Sequence, residues 1–363
     1  MKIIALFISL IISFSTFAQS ARHIADSIRL KRRVPALVYA VISSDSIYEL
    51  GGVGYKEFRT KDSISLSNRF HIGSATAAFT SFIAANLVAK GKILYNTKMT
   101  KLFPEIAAKC RPEYKNITLV ELLSQQAGVL PLNSYLELHK VPTFQGKPVA
   151  KRAQFVKWAV QQRSLRDTTG KRYFRFSNGN TAIAVAMLEK ASGKSWEQLL
   201  EEYVNRPMGI KVRTRWPVKI SGKEPNGHWN EAGKFITLDS SHWFGISPAL
   251  TGACDANITI GDYIKFIQDQ LRGLRGGKAR LPKRSYEVLH YSYQDYSLGW
   301  VSIEVNGNHI SESDGTVGTF FSHTEIIKEK NLAIITLTNS GDNYARGACL
   351  NLAKMLREMR TIL

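Results

Sequence analysis

The stretch FHIGSATAAFTSFIAANLVAKGK, residues 70–92, decides how the rest of the chain is interpreted. Its apolar side chains between Phe79 and Leu87 recur at steps of three and four residues, which is the period of a buried helix. Gly91 ends that helix as a C-terminal glycine does. Ser74 stands where the helix begins, so backbone N–H groups would point at negative charge near its hydroxyl. That position suits a nucleophile, but serine is also an ordinary N-cap residue, and both interpretations stay open here.

Strand patterns occur at both ends of the chain, and helical patterns with long loops fill the middle from 94 to about 271. This order predicts an α+β fold, an α/β sandwich. One antiparallel sheet is built from N- and C-terminal strands flanked by helices, with a large, mostly helical insertion. We expect a sheet subdomain at 19–92 and 285–363 and a helical subdomain at about 93–284. The predicted hairpin strands are 36–43 with 46–51, 296–305 with 309–313, and 320–327 with 332–339, before a closing helix at 346–363.

Residues 1–18 have the pattern of a secretory signal peptide. Lys2 gives the charged start, residues 3–14 are almost wholly apolar, and Ala18 is a small residue at the cleavage position. No later segment is long and apolar enough to cross a bilayer. The sequence therefore predicts an exported protein, periplasmic or secreted, with a single domain at 19–363; an uncleaved N-terminal anchor is the alternative.

The chain carries 49 Lys and Arg against 29 Asp and Glu, a formal net charge of +20. Such an excess favours anionic envelope polymers as partners, although it is equally compatible with a solvated surface that binds nothing. No nucleic-acid-binding motif is present. Three cysteines form either one pair and a spare or three buried thiols. No cysteine and histidine cluster has metal-ligand spacing, so we expect neither metal nor cofactor.

The chain resembles the serine β-lactamase and penicillin-binding protein superfamily, and most of all its class C β-lactamase and esterase branch. The likeness extends over nearly the whole chain after residue 18 and implies that branch's fold and its serine hydrolase chemistry. The segments that carry it are VPALVYAVISSDSIYELGGVGYKE (34–57), RFHIGSATAAFTSFIAANLVAKGKI (69–93), ITLVELLSQQAGVLP (117–131), FSNGNTAIAVAMLEKASGKSWEQLL (176–200), ITIGDYIKF (258–266) and YSLGWVSIEVNG (296–307).

The first catalytic motif of that superfamily is Ser-x-x-Lys, in which the lysine lies one helical turn beyond the nucleophile and accepts its proton. Here the motif is Ser74-Ala75-Thr76-Ala77. The serine is present at the nucleophile position, but a methyl group replaces the base.

The two other motifs have also lost their proton carriers. The second, Tyr-x-Asn, is Phe176-Ser177-Asn178, so phenylalanine stands where a proton-exchanging phenol would be. The third, Lys or His followed by any residue and Gly, begins at Ser313 instead. The resemblance implies an oxyanion hole from the backbone N–H groups of Ser74 and Thr316. It also implies ligand contacts from the residues at these motifs and at the altered glycine pair before the fifth helix, namely Asn178, Asp314, Gly315, Cys254 and Asp255.

Other side chains are candidates to replace the missing base. His71 lies three residues before Ser74, although alternation along an extended segment turns it away or packs it under the helix. Cys254 would be nucleophilic only as a thiolate, and the loop carboxylates at 255 and 314 are either an acid–base pair or simply solvated. His228 and His242 fall in long loops, lining the mouth of the cleft or lying on the surface.

Two hypotheses follow from these replacements. The first is an exported β-lactamase-related protein whose standard acyl-enzyme chemistry is lost or severely impaired, and whose cleft binds a small molecule, a peptide, a cell-wall fragment or a partner. The second is an active serine hydrolase or acyltransferase that uses Ser74 with a non-standard base.

Overall fold

The two ends of the chain meet in one antiparallel sheet. The computed structural model describes residues 21–138, 140–165, 174–221, 223–231, 234–239 and 245–361, so the signal pattern at 1–18 lies outside the described residues. The strands are β1 (Ala36–Ile42), β2 (Ile47–Gly54), β3 (Arg69–Gly73), β4 (Arg213–Thr214), β5 (Gly227–Glu231), β6 (Lys234–Leu238), β7 (Ala256–Thr259), β8 (Asp295–Tyr296), β9 (Val301–Val305), β10 (Asn308–Thr316), β11 (Phe321–Ile327) and β12 (Leu332–Thr338). Seven of them form the central sheet in the order β2-β1-β12-β11-β10-β9-β8.

Helices, joined by loops, lie before, between and after these strands in the described chain. They are α1 (21–32), α2 (Thr76–Ala89), α3 (Met99–Leu102), α4 (Pro104–Ala107), α5 (Leu119–Leu123), α6 (Tyr135–Leu138), α7 (Pro148–Ala159), α8 (Asn178–Ser192), α9 (Trp196–Leu200), α10 (Arg206–Met208), α11 (Pro217–Ile220), α12 (Thr251–Cys254), α13 (Ile260–Leu274), α14 (Lys283–Tyr291) and α15 (Asn343–Thr361). Short 3₁₀ turns at Pro112–Tyr114 and Pro248–Leu250 and a π turn at Glu201–Asn205 complete the set.

The central sheet is covered on both faces. Strands β1, β11 and β12 are buried at every position, which requires helices above and below them. One face of β1 packs with α1 and α15 in a cluster that includes Ala25, Leu37 and Leu352. The other face joins a larger core in which α13 contacts β1 and β12. The α+β sandwich predicted from the sequence, with its sheet made from both ends of the chain, is confirmed.

The middle of the chain differs from the prediction in two respects. Helix α13, which we assigned to the helical subdomain, packs on the central sheet because its strongly one-sided apolar face needs that cover. The region also contains strands: β7 pairs with β4 and with β3, which precedes the region, and β5 pairs with β6. These strands are only two to five residues long, too short for a clear alternation in the sequence.

The three cysteines are all free and buried, which is the second of the two arrangements left open by the sequence. Among the described residues, no helix combines the length and apolar character needed to cross a bilayer.

Candidate active site

Ser74 lies in a tight turn between β3 and α2. The helix begins at Thr76 with Ala75 as its N-cap, and it receives no side-chain cap. The Thr76 hydroxyl instead donates to the Gly73 carbonyl oxygen at 2.6 Å, which holds the turn. The interpretation of Ser74 as an ordinary N-cap is therefore wrong, and its partly exposed side chain lines a cleft.

Two glycines bring strand β10 against this turn. Gly73 has φ +52, and a Cβ there would collide with the backbone nitrogen of Thr316. A Cβ at Gly315 would collide with the Ile72 carbonyl oxygen and lie 2.6 Å from the Ala75 nitrogen. Only glycine permits so close a backbone approach. The turn that carries Ser74 and the end of β10 therefore lie side by side, as an oxyanion hole made from both backbones requires.

The cleft beside this turn has a volume of about 360 Å³ and a mostly apolar lining. It collects six of the residues predicted for the site from three separate parts of the sequence. These residues are Ser74, Phe176, Ser313, Asp314, Gly315 and Thr316. Phe176 follows Arg175, whose N–H donates to the Gln125 carbonyl oxygen at 2.9 Å, and this bond helps to fix the segment before α8.

The Ser74 hydroxyl forms no hydrogen bond with any described residue, and no described imidazole or carboxylate reaches it. Ala77 is 3% exposed and only extends the apolar face of α2. Phe176 packs edge-on against Tyr296, with ring centroids 5.8 Å apart. The Tyr296 phenol also lines the cleft, but burial raises its pKa well above the ordinary value although Gln125 bonds to it. It therefore stays protonated and is not a base.

His71 has a structural role. Its ring is fully buried, Nδ1 accepts the Gly73 N–H at 3.1 Å, and Nε2 lies 3.2 Å from Asp255 Oδ1. Burial raises the pKa of Asp255, and the bond with His71 opposes that rise. Because both ring nitrogens have partners, His71 braces the turn below Ser74 rather than accepting the serine proton.

Three predicted ligand-binding residues lie outside the lining of the cleft. Cys254 is fully buried at the end of α12, and burial raises the pKa of its thiol far above the ordinary value. Asp255 faces His71, as described above. Asn178 is 1% exposed; its Nδ2 donates to the Leu132 carbonyl oxygen at 2.9 Å, while its Oδ1 has no partner among the described residues. All three lie in the packed interior beside the site rather than in the lining of the cleft.

His228 is also buried, contrary to both placements left open by the sequence. Its Nε2 accepts the Phe58 N–H at 3.0 Å, and its Nδ1 lies 2.7 Å from the Asn339 carbonyl oxygen. Burial lowers its pKa to about 4, so the ring is neutral near pH 7 and joins two loops. His242 lies outside the described residues.

A charged cluster that was not predicted from the sequence lies on the face of the sheet under α15. His323 Nδ1 lies 2.6 Å from Asp314 Oδ1, and its Nε2 lies 3.0 Å from Glu325 Oε1. Arg357 Nη1 lies 2.5 Å from Glu325 Oε2, and Arg346 Nη2 lies 3.6 Å from Asp314 Oδ2. The alternation of charged residues in β10 and β11 was a visible signal, but only the pairing of Asp314 with His323 brings them together.

Eight further lining residues were also not predicted as part of the site, among them Asn133, Phe174, Tyr296, Glu312 and Arg346. Asn133 positions the segment before α8, because its Nδ2 donates to the Phe176 carbonyl oxygen and its Oδ1 accepts the Asn178 N–H. Within the described ranges, no group of His, Cys, Asp and Glu side chains is arranged to hold a metal ion.

A serine on the turn into a buried helix, facing a cleft at the end of a sheet strand, defines a protein with the fold of serine β-lactamases and penicillin-binding proteins. A family model described as Beta-lactamase matches residues 17–354. The chain therefore belongs to the beta-lactamase family.

The relatives agree with this assignment. The chain is 25% identical over 371 aligned residues to a "Beta-lactamase" of Escherichia coli K12, covering 89% of this chain and 88% of the relative. It is 20% identical to "Protein flp" of Staphylococcus aureus, where 86% of this chain covers 61% of the relative. The octameric penicillin-binding protein homologue from Pyrococcus abyssi has the same fold, with a TM-score of 0.70 at 16% identity over 91% of this chain and 73% of that structure.

Proposed function

We propose that this protein is an exported member of the beta-lactamase family that binds a small molecule, a peptide or a cell-wall fragment in its cleft without turning over acyl groups. One observation carries the proposal: the Ser74 hydroxyl lines the cleft, yet no described side chain is placed to accept its proton. Alanine, phenylalanine and serine stand at the three positions where relatives of this class supply proton carriers.

The expected reduction in the rate of acylation follows from general acid–base chemistry. A hydroxyl is a weak nucleophile until a neighbour removes its proton, and a positioned base contributes roughly 10² to 10⁴ in rate. An oxyanion hole and binding alone leave roughly 10³ to 10⁴ over the reaction in water. The close approach of Gly73 and Gly315 to their neighbours supports such a residual effect. We therefore expect acylation that is slow at best, without efficient turnover.

The shape of the cleft supports a binding role. Its volume of about 360 Å³ is within the range of small-molecule pockets, which is roughly 300 to 1,000 Å³. The lining is mostly apolar in area and also contains polar side chains, as is usual for such pockets. One relative carries the name beta-lactamase, which supports a ligand of modest size.

The second candidate is an active serine hydrolase or acyltransferase with a non-standard base. It is favoured by the position of Ser74, whose side chain is not used as a helix cap and is partly exposed to the cleft. A base supplied by the substrate itself would complete such a reaction, since no described residue supplies one.

Covalent labelling separates the two candidates. The mature protein is incubated with a fluorophosphonate or a fluorescent penicillin, and intact mass is measured over time for the wild type, Ser74→Ala and the matched control Ser67→Ala. Ser67 is an exposed serine ahead of β3. We expect little or no labelling, together with a raised melting temperature when ampicillin or a peptidoglycan stem pentapeptide is added. Rapid labelling that is abolished in Ser74→Ala and retained in Ser67→Ala would establish the hydrolase instead.

Export is tested separately. We expect the protein recovered from its native host to lack residues 1–18 and to fractionate outside the cytoplasm. An intact N-terminus on protein found with the membrane would support the anchored alternative.

A further inference from the structure

Three aromatic rings form a continuous wall of the cleft. Phe174 stacks on Tyr296 with centroids 5.4 Å apart and an interplanar angle of 15°, and Phe176 meets the same ring at 67°. Phe174 is 41% exposed although it is a large apolar side chain. Such a wall offers apolar area to a ligand, and the faces of its rings attract cations.

Two carboxylates line the same cleft, and they differ in their partners. Asp314 is bonded to His323 and lies near Arg346. Glu312, two residues earlier on β10, is partly buried and forms no hydrogen bond or ion pair with any described residue. Its carboxylate is therefore the lining anion that is free to pair with a ligand, within the part of the chain that the structure describes.

The environment of Glu312 makes a cationic partner favourable. Burial raises the pKa of its carboxyl, the charges of Glu325 and Asp314 raise it further, and those of His323 and Arg357 lower it. Removing a carboxylate from water without a partner is unfavourable, and an opposite charge within a few ångströms relieves that cost. The guanidinium of Arg346 lies near Asp314 and forms no ion pair with Glu312.

We propose that the cleft selects a ligand that carries an ammonium group next to an apolar or aromatic group. Glu312 pairs with the ammonium group, and the wall formed by Phe174, Phe176 and Tyr296 packs against the apolar part. This inference rests on the proposed function, because it requires that the cleft binds a ligand, and it adds the chemical class of that ligand. A free amino terminus of a peptide and a basic side chain both offer this chemistry.

Three probes of nearly equal shape test the charge selection: 4-phenylbutylamine, 4-phenylbutanamide and 4-phenylbutyrate. Their dissociation constants are measured near pH 7 by ligand-observed NMR for the wild type, Glu312→Gln and Glu304→Gln. Glu304 is an exposed carboxylate on β9 and serves as the matched control. We expect the wild type to bind the amine about tenfold more tightly than the amide and to bind the acid most weakly. About a tenfold difference corresponds to the lower end of the free-energy range for hydrogen bonds to charged groups.

The variants should then separate charge from packing. Glu312→Gln should remove the preference for the amine, while Glu304→Gln keeps it, and Phe174→Ala should weaken all three probes. Equal binding of the three probes, or a preference that survives Glu312→Gln, would overturn the inference but leave ligand binding by the cleft standing. If neither these probes nor ampicillin or the stem pentapeptide bind the wild type, the proposed function itself fails, and this inference fails with it.

Two tripeptides identify the source of the ammonium group. Phe-Ala-Ala has a free amino terminus and no lysine, whereas N-acetyl-Lys-Ala-Ala-amide offers only the lysine side chain. If Phe-Ala-Ala binds more tightly and Glu312→Gln weakens its binding, the cleft recognises a peptide amino terminus. If the acetylated lysine peptide binds more tightly and Glu312→Gln weakens its binding, the cleft recognises a basic side chain. If Glu312→Gln changes the binding of neither peptide, the pairing with Glu312 is refuted.

Discussion

His323 is a buried imidazole held between two carboxylates, and its charge should be visible in the stability of the protein. Its side chain is 1% exposed, with Asp314 and Glu325 bonded to its two ring nitrogens. Burial alone would lower the pKa of His323, but the two hydrogen bonds outweigh it and raise the pKa from 6.5 to about 9. Both ring nitrogens are then donors, so the residue is an imidazolium near pH 7.

The size of the effect follows from that shift. A rise from 6.5 to about 9, at about 1.4 kcal/mol per unit, corresponds to about 3 kcal/mol of stability. Because the pKa of the folded state lies above that of the unfolded chain, this stabilisation is fully present below about pH 6.5. It is lost as the pH rises to about 9, since the unfolded chain releases its proton first.

Urea unfolding of the wild type and His323→Gln, at about pH 6 and about pH 9.5, measures this contribution. We expect the difference in free energy of unfolding between the two proteins to be about 3 kcal/mol larger at the lower pH. The same substitution at His23, an exposed histidine of α1, is the control. A difference that is equal at the two pH values would mean that His323 is not charged in this range, which would refute the reasoning.

Three further predictions concern the site and the fold. Ala77→Lys alone should raise the rate of acylation by a fluorescent penicillin by less than about tenfold, because Phe176 and Ser313 also lack proton-transfer groups. Stopped-flow fluorescence measures this rate, and a gain of about a hundredfold or more would contradict the prediction. Gly315→Ala should clearly lower the melting temperature, since its Cβ would collide with the Ile72 carbonyl oxygen, and an unchanged melting curve would disprove that collision. The three cysteines should resist iodoacetamide at about pH 8 until urea unfolds the chain, because burial raises the pKa of each thiol; mass spectrometry measures the labelling, and fast labelling of folded protein would count against their burial.

Patterns that depend on neighbouring residues predicted much of the fold. The steps of three and four between Phe79 and Leu87 predicted α2, and Gly91 follows its end with φ +67, as the predicted stop requires. The hairpin of β1 and β2 and the strands near the C-terminus were predicted from strand-like runs and the turns between them, and they join one sheet, although the predicted strand 296–305 is divided into β8 and β9. In each case, the residues that specify the element lie within the element or next to it.

Features that depend on pairing between distant segments could not be predicted in the same way. His323 meets Asp314 only through the register of β10 and β11, and Phe174 meets Tyr296 across more than a hundred positions of sequence. The motif resemblance named Asn178 as a ligand residue, but it does not reveal that this side chain is buried and bonded to the Leu132 carbonyl oxygen. A motif states which residue types occur, whereas exposure depends on what packs over them.

The geometry of the cleft and proton transfer at Ser74 depend on different parts of this chain. The approach of β10 to the Ser74 turn depends on Gly73 and Gly315, which act through backbone geometry and carry no functional group. Proton transfer depends on side chains, and the resemblance implies proton carriers at three motif positions where this chain has Ala, Phe and Ser. The proposed function therefore requires that the backbone geometry beside Ser74 is kept while the side chains that would activate the serine are absent. Because the two sets of residues are distinct, substitutions at Glu312 or Phe174 should change which ligand binds without creating a base, and substitutions at Ala77 should change reactivity without creating a cleft.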